Sequence, residues 1–119
     1  IRQNVTDVVR GDDLLESAAR QTLIYNALGH PPPRWWHLPL VLGPDGHRLA
    51  KRHGDTRISS FREQGTTPAR LLGLLARWCG CTNELQDMTM QDYLSTFDLN
   101  TMPTGPITFT PEEHAWLAS

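Results

Sequence analysis

The feature that most restricts the fold is the order of residues 5–42: an apolar run, a helical run and a second apolar run. Val5–Val9 is short and β-branched, which favours a buried strand. Gly11–Asp13 then opens a helix, with an aspartate as its N-cap. Gly29 and the prolines at 31–33 end that helix, and Trp35–Leu42 follows as a second strand. The predicted buried face of the helix consists of Leu15, Ala18, Ala19, Leu23 and Ala27. This order and spacing predict a parallel βαβ unit with a right-handed crossover.

The prolines and glycines after the first strand–helix unit, and the periodicity that follows them, predict two parts in the chain. Pro39 within the second apolar run argues for a sheet edge or a strand end. Gly43–Gly46 is a strong turn signal, and from about residue 57 the periodicity becomes wholly helical. We therefore expect a βαβ part over residues 1–56, including a loop after the second strand, and an α-helical segment over residues 57–119.

The helical segment shows repeated capping patterns. A short helix over Ile58–Gln64 should end at Gly65, and threonines at positions 67, 89 and 110 should cap the next three helices. The predicted buried stripes are Leu71, Leu74, Leu75 and Trp78 in the first of these, Met90, Tyr93, Leu94 and Phe97 in the second, and Trp116 and Leu117 in the third.

Composition excludes several classes of protein. A hydrophobic fraction of 39% and a charged fraction of 20% argue against a disordered chain and a coiled coil. No run approaches the ~20 apolar residues that a membrane helix needs, and no leader is visible, so we expect a cytoplasmic protein without membrane contact. Cys79 and Cys81 are then reduced thiols, and no metal site is expected because further ligands are lacking. A start at Ile1 instead of Met indicates a fragment or a processed product.

Charge is unevenly distributed along the chain. All 11 Lys and Arg residues precede residue 78, whereas residues 78–119 carry acids and no base. The loop Arg48–Asp55 concentrates cationic side chains at Arg48, Lys51, Arg52 and His53, with Gly54 allowing it to bend. Such a loop can place a lysine ammonium against a triphosphate, or it can be an ordinary solvated basic loop. Charge alone leaves both readings open.

The same loop resembles a known family. His37–Asp55 is similar to the KMSKS region of glutamyl class I aminoacyl-tRNA synthetases, which commonly reads HLPLxLGPDGxKLSKRHG. Val5–Leu15 resembles their THVVRGDDLL turn, and Arg20–Gly29 resembles RQxxLYxALG. Phe61–Gly65 and Pro68–Leu75 resemble the helices after the loop. The resemblance covers essentially the whole chain. It implies an α/β fold, the second half of a Rossmann-like (HUP-type) class I synthetase catalytic domain followed by a helical segment.

The resemblance also implies roles for single residues. Arg10 matches the arginine that binds the carboxylate of the substrate glutamate, and Asp13 matches an acidic position near the substrate. From the residues alone, Arg10 could equally pair with a neighbouring aspartate, and Asp13 could cap the helix. Lys51 matches the second KMSKS lysine, the catalytic residue that contacts the ATP phosphates, and Ala50 replaces the usual serine. The full set of implied ATP-binding residues is Leu38, Arg48, Leu49, Ala50, Lys51, Arg52 and His53.

The implied activity is activation of glutamate by ATP, with Mg²⁺ on the nucleotide, and transfer of the glutamyl group to tRNA. The ending at Ser119 resembles the short branch, the glutamyl-queuosine tRNA(Asp) synthetases. A fragment of a glutamyl-tRNA synthetase that charges tRNA(Glu) is the alternative. The HIGH signature of the first half has no counterpart here, so we expect this chain alone to be inactive. Two further readings are a non-catalytic nucleotide- or RNA-binding module and a domain that self-associates through its open sheet edge.

Overall fold

The computed structural model describes residues 1–49 and 56–119, which form two compact units, Ile1–Leu40 and Val41–Ser119. The first unit contains β1 (Asp7–Gly11), a single 3₁₀ turn (Asp12–Leu14), α1 (Leu15–Ala27) and β2 (Arg34–Leu38). The second contains β3 (Val41–Leu42), α2 (Ile58–Glu63), α3 (Pro68–Trp78), α4 (Met90–Thr96), β4 (Ile107–Thr108) and α5 (Pro111–Ala118).

The parallel strand–helix–strand prediction for the first unit is confirmed. β1 and β2 pair in parallel, with Val8 opposite Trp35 and Arg10 opposite His37. The first strand lies two residues later than its β-branched run suggested. The second strand stops at Leu38, because the following proline has no N–H to donate to a sheet. The predicted continuous run to residue 42 is therefore two strands.

The start of α1 also differs from its prediction. No aspartate side chain caps this helix: Gly11 occupies the N-terminal position of the 3₁₀ turn, and that turn leads directly into α1. The end is as predicted, since Gly29 adopts a φ of 69° that favours glycine.

Most of the predicted buried face of α1 is exposed. Only Ala18 is buried, while Leu15 and Leu23 remain 61% and 69% exposed. The periodicity is correct, but a sheet of two strands is too narrow to cover a helix of 13 residues. The sheet face that carries Val9 and Trp36 is also open, with these side chains 60% and 41% exposed.

We expected only helices from residue 57 onward, but the second unit also contains a strand in that range, β4. Val41 and Leu42 pair in parallel with Ile107 and Thr108, which form β4. A strand of two residues is too short to produce a recognisable pattern in the sequence. The predicted turn after β3 is present, with the Gly46 N–H donating to the Gly43 carbonyl at 3.0 Å. Because β3 pairs with β4, the contacts divide the chain at residues 40/41, whereas the sequence suggested a boundary at 56/57.

The core of the second unit consists of Phe61, Leu74, Phe109 and Leu117. Threonines 67, 89 and 110 accept hydrogen bonds at the starts of α3, α4 and α5 as predicted. The predicted buried face of α4 is wrong for Met90 and Leu94, which are 55% and 65% exposed, whereas Tyr93 and Phe97 are half-buried. Among the described residues, no helix has the length and apolar character needed to cross a membrane.

Candidate functional site

The site begins at the end of the parallel strand pair. Arg10 is the penultimate residue of β1, and its partner in the register is His37 of β2. Side chains alternate along a strand, so Arg10 and His37 share the face that carries Val8 and Trp35. That face is turned toward α1, since the indole N–H of Trp35 donates to the Thr22 hydroxyl at 3.1 Å. Carboxyl ends of parallel strands are where α/β sheets bind ligands.

The guanidinium of Arg10 is held on three sides. Its Nε–H donates to Nε2 of His37 at 3.4 Å, and Nη1 donates to Oε1 of Gln21 at 3.0 Å. Its central carbon lies 4.5 Å from the centroid of the Trp35 ring, within the range of a cation–π contact. The third nitrogen, Nη2, is buried and has no hydrogen-bond partner within residues 1–49 and 56–119.

An unpaired buried donor on a charged group is costly, on the order of 1–3 kcal/mol or more. A guanidinium edge also matches the geometry and charge of a carboxylate. A planar anion beside Nη2 of Arg10 would supply the missing partner at this end of the sheet.

Two further predicted residues lie at this end of the first unit. Leu38 is opposite Gly11 in the register and is 37% exposed. A Cβ on Gly11 would lie 2.7 Å from Oδ1 of Asp13, so the missing side chain of this glycine leaves room for the Asp13 carboxylate. Side chains alternate along a strand, so Leu38 and the side of Gly11 that faces Asp13 lie on the sheet face opposite to that of Arg10 and His37. The three predicted residues therefore share the carboxyl end of the strand pair but lie on two different faces.

The described part of the predicted ATP loop lies in the second unit. Arg48 is exposed and forms an antiparallel bridge with Leu42. The N–H of Leu49 donates to the Val41 carbonyl at 2.9 Å, and its half-buried side chain packs against the core. Leu49 also lines a cleft of about 250 Å³, whose other lining residues are Pro44, Phe109, Thr110, Pro111 and His114. Ala50, Lys51, Arg52 and His53 lie outside the described residues.

Gln21 is a contact that sequence reasoning missed. Gln21 is part of the Arg20–Gly29 motif, but no feature of the sequence predicts that a polar residue on an exposed helix contacts an arginine of a strand. The signal that could have found His37 is the strand alternation, which predicts that it faces the same side as Arg10 once the register is known.

A second polar group lies at the opposite end of the strand pair. Arg34 forms an ion pair with Asp7 at 2.8 Å, and the Trp36 indole donates to the same carboxylate at 3.0 Å. Hydrogen bonds from Arg34, Trp36 and Thr6 lower the pKa of Asp7 to about 2. These three donors belong to the first unit, so the group fastens the beginning of β2 to β1.

The two thiols of the chain are free and half-buried. The sulfur of Cys79 lies 3.3 Å from the Tyr93 hydroxyl, and burial, with that hydrogen bond, raises the pKa of Tyr93. Within the described residues, no three His, Cys, Asp or Glu side chains are grouped so that they could hold a metal ion.

The model of one protein family matches residues 1–116, described as tRNA synthetases class I (E and Q), catalytic domain. A glutamyl-Q tRNA(Asp) synthetase from Symbiobacterium thermophilum is 44% identical over 96% of this chain and 35% of its own length. Glutamate–tRNA ligase 2 from Halorhodospira halophila is 38% identical over 98% of this chain and 25% of its own.

A solved structure is also similar over nearly the whole chain. The glutamate tRNA ligase from Elizabethkingia meningosepticum, in complex with its amino acid, superposes with a TM-score of 0.76 at 28% identity. The match covers 97% of this chain and 27% of that one. The chain thus spans about a quarter to a third of the proteins it resembles.

Proposed function

The chain belongs to the family of class I tRNA synthetases for E and Q, and from that premise we propose that it works in a ligase that activates glutamate with ATP and glutamylates tRNA. The observation that carries the proposal is Nη2 of Arg10 at the carboxyl end of β1, which is buried and has no hydrogen-bond partner in the described part of the chain. Glutamate presents carboxylates, and a fixed guanidinium edge suits one of them in shape and charge.

In the proposed reaction, a glutamate carboxylate oxygen attacks the α-phosphorus of ATP in line. The bond from that phosphorus to the bridging oxygen breaks, glutamyl-adenylate forms, and pyrophosphate leaves. A hydroxyl of the acceptor RNA then attacks the acyl carbon, and AMP leaves. Catalysis of this kind depends mainly on positioning and on stabilising charge.

Each proposed residue has a role in that scheme. Arg10 holds glutamate, and Asp13 lies near the substrate. Lys51 balances the charge that develops on the phosphates as pyrophosphate departs. Leu38, Arg48 and Leu49 contact ATP together with Ala50, Arg52 and His53. Mg²⁺ comes with the nucleotide.

For the acceptor we propose the queuosine of tRNA(Asp), as in the glutamyl-Q relative, whose identity to this chain exceeds that of the glutamate–tRNA ligase. Charging of tRNA(Glu) is the second candidate, since ligases with that name match the same length of chain. We expect little activity from the 119 residues alone, because they contain no HIGH signature.

The test is a transfer assay on the full-length protein in which this chain lies. Labelled glutamate, ATP and either tRNA(Asp) with queuosine, tRNA(Asp) without it, or tRNA(Glu) are supplied. We expect label on queuosine-containing tRNA(Asp) alone. Label on tRNA(Glu) would favour the second candidate, and salt-dependent tRNA binding without pyrophosphate exchange would reveal a non-catalytic module.

A further inference from the structure

We infer that Gln21 and His37 are positioning residues for Arg10: two uncharged acceptors that fix the guanidinium and leave its Nη2 edge, with full positive charge, for a carboxylate ligand. Identifying that ligand as glutamate rests on the proposed function. The positioning itself rests on the contacts around Arg10.

Those contacts come from separate elements. Gln21 belongs to α1 and accepts from Nη1, and His37 belongs to β2 and accepts from Nε. The Trp35 ring supports one face of the guanidinium. Two hydrogen bonds and one ring restrict both translation and rotation of the guanidinium, which fixes the position of Nη2.

The same unit contains a second arginine, Arg34, whose acceptor is a carboxylate, so the two arginines can be compared. Arg34 is paired with the carboxylate of Asp7, which offsets its charge, and this pair fastens two strands. Arg10 is held by an amide oxygen and an imidazole nitrogen, neither of which neutralises it. An arginine with uncharged partners retains its attraction for an incoming anion, whereas one with a carboxylate partner has lost most of it.

The hydrogen bond also defines the state of His37. Nε2 accepts from Arg10, so it carries a lone pair, and the ring proton of the neutral imidazole is on Nδ1. His37→Gln can present an oxygen at about the same reach, whereas His37→Leu keeps a comparable apolar volume without an acceptor.

Nuclear magnetic resonance on the 15N-labelled 119-residue chain tests the positioning directly. We expect the imidazole correlations of His37 to show the Nδ1–H form, and the Arg10 Nε–H to be rigid on the picosecond to nanosecond timescale. His37→Leu and Gln21→Leu should each make that Nε–H mobile, while His37→Gln should keep it rigid. Thr22→Val, which removes the neighbouring bond from α1 to Trp35, serves as the matched control and should leave it rigid.

Glutamate-dependent pyrophosphate exchange by the full-length protein tests whether the positioning of Arg10 affects glutamate binding. His37→Leu and Gln21→Leu should raise KM for glutamate about tenfold with little change in kcat, the scale of one hydrogen bond to a charged group. His37→Gln should restore KM. Gln21→Glu should keep Arg10 rigid yet raise KM, because its carboxylate neutralises the guanidinium.

Three results would overturn the inference: an Nε2–H form of His37, a mobile Arg10 in the unmutated chain, or unchanged rigidity in His37→Leu. Rigid Arg10 with unchanged KM in all variants would instead contradict the assignment of glutamate as the ligand, and with it the proposed function.

Discussion

Arg10 and His37 face each other across the parallel β1–β2 pair, and the guanidinium Nε–H of one donates to the imidazole Nε2 of the other at 3.4 Å. The strand register produces this contact, because partners in adjacent strands carry their side chains on the same face. This cation is fixed at the carboxyl end of a parallel pair, and its Nη2 has no partner among the residues that the structure describes, which links the local structure to anion binding.

Asp7 should make the stability of the first unit depend on pH. Its pKa falls from 3.8 to about 2 in the folded chain, chiefly through the hydrogen bond from Arg34. A lowered carboxyl pKa contributes stability above the unfolded value and loses it as the pH falls through the folded value. Asp7→Asn should therefore be less stable than the unmutated chain at pH 6, and the difference should fade between about pH 4 and pH 2.

The measurement is urea unfolding of both chains across that range, with the carboxyl 13C titration of Asp7 as a direct reading of its pKa. Glu84→Gln is a suitable control, since it removes an exposed carboxylate from the other unit. A stability difference that is constant with pH would show that the charge of Asp7 is not the cause.

Gly73 should not tolerate alanine, although alanine ordinarily stabilises a helix relative to glycine. A Cβ at this position of α3 would lie 1.8 Å from the backbone carbonyl oxygen of Gln86. We expect Gly73→Ala to lower the free energy of unfolding by about 1–3 kcal/mol or more, because backbone has to move. Gly105→Ala is the control, since no atom of the described residues lies within 4 Å of its Cβ position. Equal stability of the two variants in urea would contradict this packing.

Leu74 and Leu75 are neighbours on α3 with different surroundings. Leu74 is 1% exposed in the core, and Leu75 is 36% exposed. Leu74→Ala should cost about 2–5 kcal/mol of unfolding free energy, through lost burial and the cavity it leaves. Leu75→Ala should cost clearly less. Unfolding in urea measures both, and a similar loss in the two variants would mean that the assigned faces of α3 are wrong.

Glu113 should be a buried structural carboxylate. It is 4% exposed, and it accepts from the Thr110 backbone N–H at 2.9 Å and from the Trp78 indole at 3.1 Å. Glu113→Ala leaves both donors without this partner, so we expect a loss of about 2 kcal/mol or more. Glu112→Ala, next to it and exposed, is the matched control. Thermal unfolding that ranks the two variants equally would refute the role.

The sequence predicted helix starts and ends reliably, because these features depend on interactions between neighbouring residues. Thr67 with Pro68 predicted the start of α3, and Gly65 with Gly80 predicted helix ends, where both glycines have positive φ. These features depend on a few adjacent residues, so a single sequence contains them.

Signals that depend on distant partners were less reliable. Leu15 and Leu23 have helical spacing, but whether they are buried depends on how much sheet lies against α1. Residues 107–108 form a strand because their backbone pairs with β3, which is distant in the sequence. The same holds for the site: Arg10 was predicted by resemblance, whereas its bond to Gln21 depends on how α1 docks on β1.

The most direct test of the central claim is the affinity of the full-length protein for L-glutamate, measured by isothermal titration calorimetry with L-glutamine as the comparison ligand. We predict a preference for glutamate that Arg10→Gln abolishes, with affinity reduced at least about tenfold. Arg34→Gln, which removes an arginine already paired with a carboxylate, should leave that affinity unchanged. Equal glutamate affinity in the unmutated protein and in Arg10→Gln would contradict the account.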